Sequence, residues 1–132
     1  MICLDTSFLV DLLRNKKEAV EKIDKLSPNT IATTRINIFE ILLGAFLRGQ
    51  KDPQKFSEKA KPLLDKIEVL EFDESSCIQS ARIKIHLISS GKEIETTDCM
   101  IAGIMLANGC NTIISKNKDH FERIKEIGVE GY

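Results

Sequence analysis

Short β-leaning runs recur along this chain, each separated from the next by a longer stretch of helical periodicity. The runs cover residues 2–5, 30–33, 67–72 and 112–115, with a last short one around Val129. Between them the spacing of apolar residues predicts helices over 8–14, 18–25, 36–48, 53–66, 74–90 and 98–108. Punctuation supports these limits: Ser27-Pro28-Asn29 closes one helix, Pro53 suits a first helical turn, and Gly91 and Gly109 follow two helix ends. Strands that alternate with helices require a mostly parallel sheet covered on both faces, an α/β sandwich of three layers. No linker interrupts the pattern, so residues 1–132 read as one domain, large enough to bury roughly two thirds of its unfolded surface without staples.

Several function classes are disfavoured early. The longest uninterrupted apolar run is MIAGIMLA, residues 100–107, far short of the ~20 residues of a membrane span. No basic region followed by an apolar stretch opens the chain, so no leader and no membrane are expected, and the expected location is the cytoplasm. Cys3, Cys77, Cys99 and Cys110 lack CxxC spacing and read as reduced thiols. The net charge of −1 offers no overall positive field to attract nucleic acid, so a nucleic-acid substrate would need local basic patches or a bound cation.

Sheets of this kind bind ligands beyond the carboxyl ends of their strands. Asp5 ends the first run, and Ser115-Lys116-Asn117 follows the fourth. Asp5 alone could equally be a helix cap, with Thr6 and Ser7 beside it. A second acid, Glu40, stands in INIFEILLGAFL, whose apolar residues circle the predicted helix and mark it as largely buried. The positions three and four residues away are Ile36, Asn37, Leu43 and Gly44, so Glu40 has no local cation. It needs a bound ion, a distant Arg or Lys, or a raised pKa. Gly44, one turn later, would permit close approach of backbone or ligand. A third acid, Asp98, opens the apolar segment TTDCMIAGIMLA, with Thr96 or Thr97 expected as the helix cap. Three shielded carboxylates repel one another unless a divalent cation joins them. Oxygen-only ligands favour Mg²⁺ or Mn²⁺ over zinc.

Four segments in this order, LDTSFLVDLL, NIFEILLGA, TTDCMIAGIMLA and ISKNKDHFERI, resemble the PIN-domain family, specifically the VapC toxins of VapBC toxin-antitoxin pairs, across essentially the whole chain. The resemblance implies a three-layer α/β/α fold and a Mg²⁺- or Mn²⁺-dependent endoribonuclease. It maps the family's metal and catalytic carboxylates onto Asp5, Glu40 and Asp98. Many relatives carry a fourth acid where this chain has Asn117, which can hold a hydrogen bond or a metal-bound water but brings no charge. A second metal site is therefore in doubt, and Asp119 is a weaker substitute. His86 reads as a tolerated helix residue, and His120, beside the Ser115-Lys116-Asn117 loop, as a helix-start residue on a solvated turn rather than a catalytic group. Arg14, Lys16, Lys17, Arg35 and Arg48 read as solvated faces, with contact to an RNA backbone as the alternative. Implied partners are an RNA substrate, a second copy of the chain in a homodimer, and a small antitoxin whose Arg or Lys reaches the acids. Two alternatives stand beside this reading: a housekeeping RNA-processing nuclease with the same chemistry, and a receiver-like domain using Asp73 as phosphoacceptor. The receiver scheme wants two adjacent acids after the first strand and leaves Glu40 unexplained.

Overall fold

A computed structural model describes the backbone of residues 1–132 and every side chain except those of Phe56 and Ser57. The element order is β1 (Ile2–Leu4), α1 (Thr6–Leu13), α2 (Lys17–Ile23), β2 (Ile31–Thr34), α3 (Arg35–Leu47), α4 (Pro53–Leu64), β3 (Glu68–Leu70), α5 (Glu74–Ser89), α6 (Thr96–Ala107), β4 (Thr112–Ile114), α7 (Lys118–Phe121) and β5 (Gly128–Glu130). Every predicted strand and helix is present to within a few residues. The short α7 and a 3₁₀ turn at Pro28–Thr30 lie outside the predicted pattern. Gly91 and Gly109 both adopt φ of 69°, the left-handed conformation that ends a helix cheaply only at glycine.

The five strands form one sheet in the order β3-β2-β1-β4-β5, and every pair is parallel. Alternation along the strands divides the core in two. Cys3, Ala32, Leu70 and Ile113 face α5, α6 and α7, packing with Leu87, Ile101, Met105 and Phe121. Leu4, Ile31 and Ile114 face the other way and pack with Phe8, Leu9 and Ala19 of α1 and α2. Helix α3 serves both layers, since Ile36 joins the first cluster and Ile41 the second. Contrary to the sequence expectation, α3 is not buried all round: Phe39, Leu43, Phe46 and Leu47 are exposed. All four cysteines are free thiols, as expected, and only Cys77 is exposed. No helix among the described residues is long and apolar enough to cross a membrane.

Candidate active site

The chain leaves β1 towards β2 on one side and leaves β4 towards β5 on the other, so the sheet parts beyond the carboxyl ends of β1 and β4. That switch point is where open parallel sheets present ligand sites. Asp5 follows β1 and Ser115 follows β4, and the Ser115 hydroxyl donates to Asp5 Oδ2 at 2.5 Å across the gap. Asp5 occupies the N-cap position of α1, yet its carboxylate makes no capping bond. It accepts instead from Ser7 at 3.2 Å and from the Asn37 amide at 3.1 Å. The capping explanation of Asp5 thus fails, and the carboxylate, 5% exposed, is held by these three side chains.

Asn37 was not singled out by sequence reasoning. It is fully buried and forms a reciprocal capping box with Thr34 at the start of α3. Its side-chain oxygen serves that cap, which frees its NH₂ to donate to Asp5 and, at 3.0 Å, to the Thr6 hydroxyl. Thr6 in turn donates to Glu40 Oε1 at 2.7 Å. The signal available in the sequence was Thr34-x-x-Asn37 directly after a strand, a variant of the capping-box pattern. Glu40 stands one turn after Asn37 and is partly buried, with no Lys or Arg in ion-pair contact among the described residues. Gly44 admits no close backbone approach; a Cβ there would meet only the Arg48 guanidinium, at 3.4 Å.

Asp98 lies in the first turn of α6 and is 6% exposed. The expected threonine cap is absent: Glu95 takes the N-cap position and Thr96 and Thr97 are already helical. Asp98 Oδ2 accepts from the Asn117 amide at 3.2 Å and contacts His120 Nδ1 at 2.6 Å, while Asn117 and His120 contact each other at 2.9 Å. His120, expected as a helix-start residue on a solvated turn beside the site loop, instead reaches the acid itself, aimed by the one-turn helix α7. Asp119 points elsewhere, exposed in a hollow with Gly91, Lys92, Glu122 and Arg123. His86 is exposed on α5. Asp73 is the N-cap of α5, accepting from the Ser76 amide at 2.9 Å, and this accounts for the residue the receiver scheme needs.

Burial pushes the Glu40 carboxyl up, and the charges of Asp5, Asp98 and Glu95 push it further against the Thr6 hydrogen bond. Burial also raises Asp98, with Asp5 and Glu95 adding to it and His120 opposing. The acids therefore sense one another across the cleft, and Glu95 joins them as a fourth negative charge that sequence reasoning passed over. As they stand, no three His, Cys, Asp or Glu side chains among the described residues converge on a single metal-holding point. Each carboxylate is instead engaged by the chain's own groups: hydroxyls and an amide at Asp5, the Thr6 hydroxyl at Glu40, and the Asn117 amide and His120 ring at Asp98. The donor set still suits a hard divalent cation, because it supplies carboxylate oxygens carrying unbalanced charge in a shielded cleft.

Fold and site together define a class: a doubly wound parallel α/β protein with buried and half-buried carboxylates beyond the strand ends at its switch point. The chain belongs to the PIN domain family, whose model matches residues 2–127. It is 26% identical over 129 residues to the tRNA(fMet)-specific endonuclease VapC of Salmonella typhimurium, covering 98% of this chain and 96% of that one. It is 28% identical over 137 residues to Ribonuclease VapC1 of Methanocaldococcus jannaschii, covering 99% and 86%. Among solved structures it is similar to DNA-bound VapBC from Salmonella typhimurium, with a TM-score of 0.83 at 25% identity over 98% of this chain and 96% of that one. VapBC2 of Rickettsia felis bound to a promoter DNA fragment shares the fold, with a TM-score of 0.84 at 23% identity over 100% and 99%.

Proposed function

We propose that this chain is a metal-dependent endoribonuclease and the toxin of a toxin-antitoxin pair, with Asp5, Glu40 and Asp98 holding Mg²⁺ or Mn²⁺ and Asn117 assisting. The observation that carries the reading is that these three acids, beyond the β1–β4 switch point, act on one another electrostatically with no Lys or Arg paired to any of them among the described residues. A bound divalent ion there supplies charge neutralisation at a phosphodiester and a water of lowered pKa. The chain's own part is orientation: Ser115, Ser7 and Asn37 fix Asp5, Thr6 aims Glu40, and Asn117 with His120 holds Asp98. Rigid strand ends and buried partners keep such a constellation from wandering, which is what rate enhancement by positioning requires.

The relatives named as VapC ribonucleases and the VapBC complex support RNA as substrate and an antitoxin as partner, and we place the pair in the cytoplasm. A basic antitoxin side chain entering the cleft would satisfy the acids and obstruct RNA. Homodimerisation draws support from the apolar rows Phe39, Leu43, Phe46 and Leu47 on α3 and Ile78, Ile85 and Ile88 on α5. The test is cleavage of a short single-stranded RNA with Mg²⁺ or Mn²⁺, with a chelator, and with Asp5→Asn. Activity confined to the metal-loaded wild type is expected; full activity in chelator overturns the metal-nuclease reading. A wild type that cuts RNA but leaves growth and translation untouched when expressed alone favours RNA processing over a toxin.

A further inference from the structure

The segment Glu130-Gly131-Tyr132 lies directly against the loop that carries Ser115 and Asn117, and touches it at every step. The Ser115 amide donates to the Glu130 carbonyl at 3.1 Å. The Lys118 side chain crosses Gly131 so closely that a Cβ there would stand 2.6 Å from its Cε and Nζ. The Lys116 ammonium sits 5.2 Å from the centre of the Tyr132 ring and is bonded to Asp11 of α1. Tyr132 closes the circuit: its hydroxyl donates to Asp11 at 2.9 Å, and its ring packs edge-on against Phe8 at 4.7 Å. Asp11 is buried, and Lys16 is its third partner at 2.9 Å, so Lys16 is not the merely solvated residue that the sequence suggested.

We infer that Tyr132 is a positioning residue which, with Asp11 and Lys116, straps the β4–α7 loop so that Ser115 and Asn117 meet Asp5 and Asp98. The loop is three residues long between β4 and α7, and its own anchors are few. Its Lys116 amide donates to Ser7 at 3.1 Å, and its Asn117 amide to Ser115 at 2.9 Å. Ser7 and Ser115 are the two hydroxyls that also donate to Asp5, so a loop displaced by an ångström would loosen Asp5 and Asp98 together. The strap has a second consequence. Lys116 of the loop is drawn to Asp11 and Tyr132, Lys118 at the start of α7 crosses Gly131, and neither pairs with Asp5, Glu40 or Asp98, so no lysine ammonium occupies the place of a metal.

The consequence for metal binding rests on the nuclease reading; the mechanical claim does not. The experiment compares wild type, Tyr132→Ala and Tyr132→Phe by amide hydrogen exchange, Mn²⁺ calorimetry and cleavage of a short single-stranded RNA. In Tyr132→Ala the amides of 115–117 should exchange about tenfold faster while those of α5 and α6 keep wild-type protection. Mn²⁺ affinity should fall roughly 10- to 100-fold, the size seen when a supporting partner of a metal ligand is lost. Cleavage should fall in kcat with KM little changed if Tyr132 acts through the acids of the site rather than on RNA. Tyr132→Phe keeps the ring and loses the hydroxyl with its bonds to Asp11 and Ser7, so it should fall between the two and carries the test if the alanine variant does not fold. Wild-type exchange at 115–117 in both variants overturns the strap, and faster exchange with unchanged Mn²⁺ affinity overturns its role at the site. A wild type that neither binds Mn²⁺ nor cuts RNA overturns the nuclease reading instead, and the exchange data still decide the strap.

Discussion

Helices α3 and α6 carry one sequence signature, a single acid among apolar residues, and reach opposite solutions. In α6 the apolar residues are enclosed: Cys99, Ile101, Ala102, Ile104 and Met105 are all buried. Helix α5 presses so close that a Cβ on Gly103 would stand 2.6 Å from the Ser80 nitrogen and 2.8 Å from its Cα. In α3 only Ile36, Ile38, Ile41 and Ala45 are buried among the apolar residues, while Phe39 is 52% and Leu47 79% exposed. An apolar row at helical spacing can be covered by the chain's own helices or left for another surface. The acids divide along the same line. Asp98 is enclosed and doubly bonded, whereas Glu40 is more open and holds one hydrogen bond.

The largest expected effect tests whether these unlike acids share one function. Glu40→Gln and Asp98→Asn keep shape and remove charge, and each should lower RNA cleavage by ~10³-fold or more if it holds the catalytic ion. Metal-free melting temperatures should match wild type or rise slightly, because repulsion with Asp5 is relieved. Variants that melt early yet cut normally would mark both acids as structural. Next in size is a pair of glycine substitutions that should separate the two helices. Gly103→Ala forces a methyl into the Ser80 backbone and should cost ~1–3 kcal/mol. Gly44→Ala meets only a mobile guanidinium and should gain ~0.5–1 kcal/mol from helix propensity. Chemical denaturation reads both, and equal costs would erase the distinction between an enclosed and an open helix.

That contrast also explains which parts of the protein could be read from the sequence. The sheet and six long helices were legible because their periods are set by burial on known faces, and glycines 91 and 109 ended helices where they had to. Asp5, Glu40 and Asp98 were legible because an acid in an apolar setting is costly and therefore conspicuous. The exposure of α3 was not, since apolarity says nothing about which body covers a surface. Asn37, His120 and Tyr132 escaped for a different reason. Each acts through a contact between distant segments, Asn37 with Asp5, His120 with Asp98 and Tyr132 with Asp11, and a side chain's partner across 20 to 120 positions leaves no periodic trace.

A smaller effect on folding but a clear one on assembly is expected at the open face. Leu47→Glu places a charge on the most exposed apolar residue of α3. The stability of the isolated chain should change by less than ~0.5 kcal/mol, as for other surface substitutions. Sedimentation should nevertheless show self-association weakened at least tenfold if α3 is an interface. An unchanged assembly state would assign the contact to α5 or leave the chain monomeric.

The smallest expected effect is on the pH dependence of stability, and it turns on opposite shifts in two parts of the molecule. Glu40 and Asp98 are raised above their ordinary values of 4.5 and 3.8, first by burial. The folded chain therefore holds these protons more tightly than the unfolded one. Their contribution to stability is complete below the ordinary values and is lost as pH rises through the folded ones. Asp11 runs the other way: the Lys116 contact holds it well below the usual carboxylate range, so its contribution is present above that range and lost as pH falls. Wild type alone would show the two partly cancelling. The difference between wild type and the double variant Glu40→Gln/Asp98→Asn isolates the cleft, since Asp11 is common to both. In metal-free buffer, lowering the pH from about 7 to about 4.5 should raise the wild-type melting temperature relative to the double variant. Saturating Mn²⁺ should remove the trend at neutral pH, because bound cation replaces the proton as the carboxylates' partner. A difference that stays flat across the range, with and without Mn²⁺, would mean that the open acid of α3 and the enclosed acid of α6 do not act on one another.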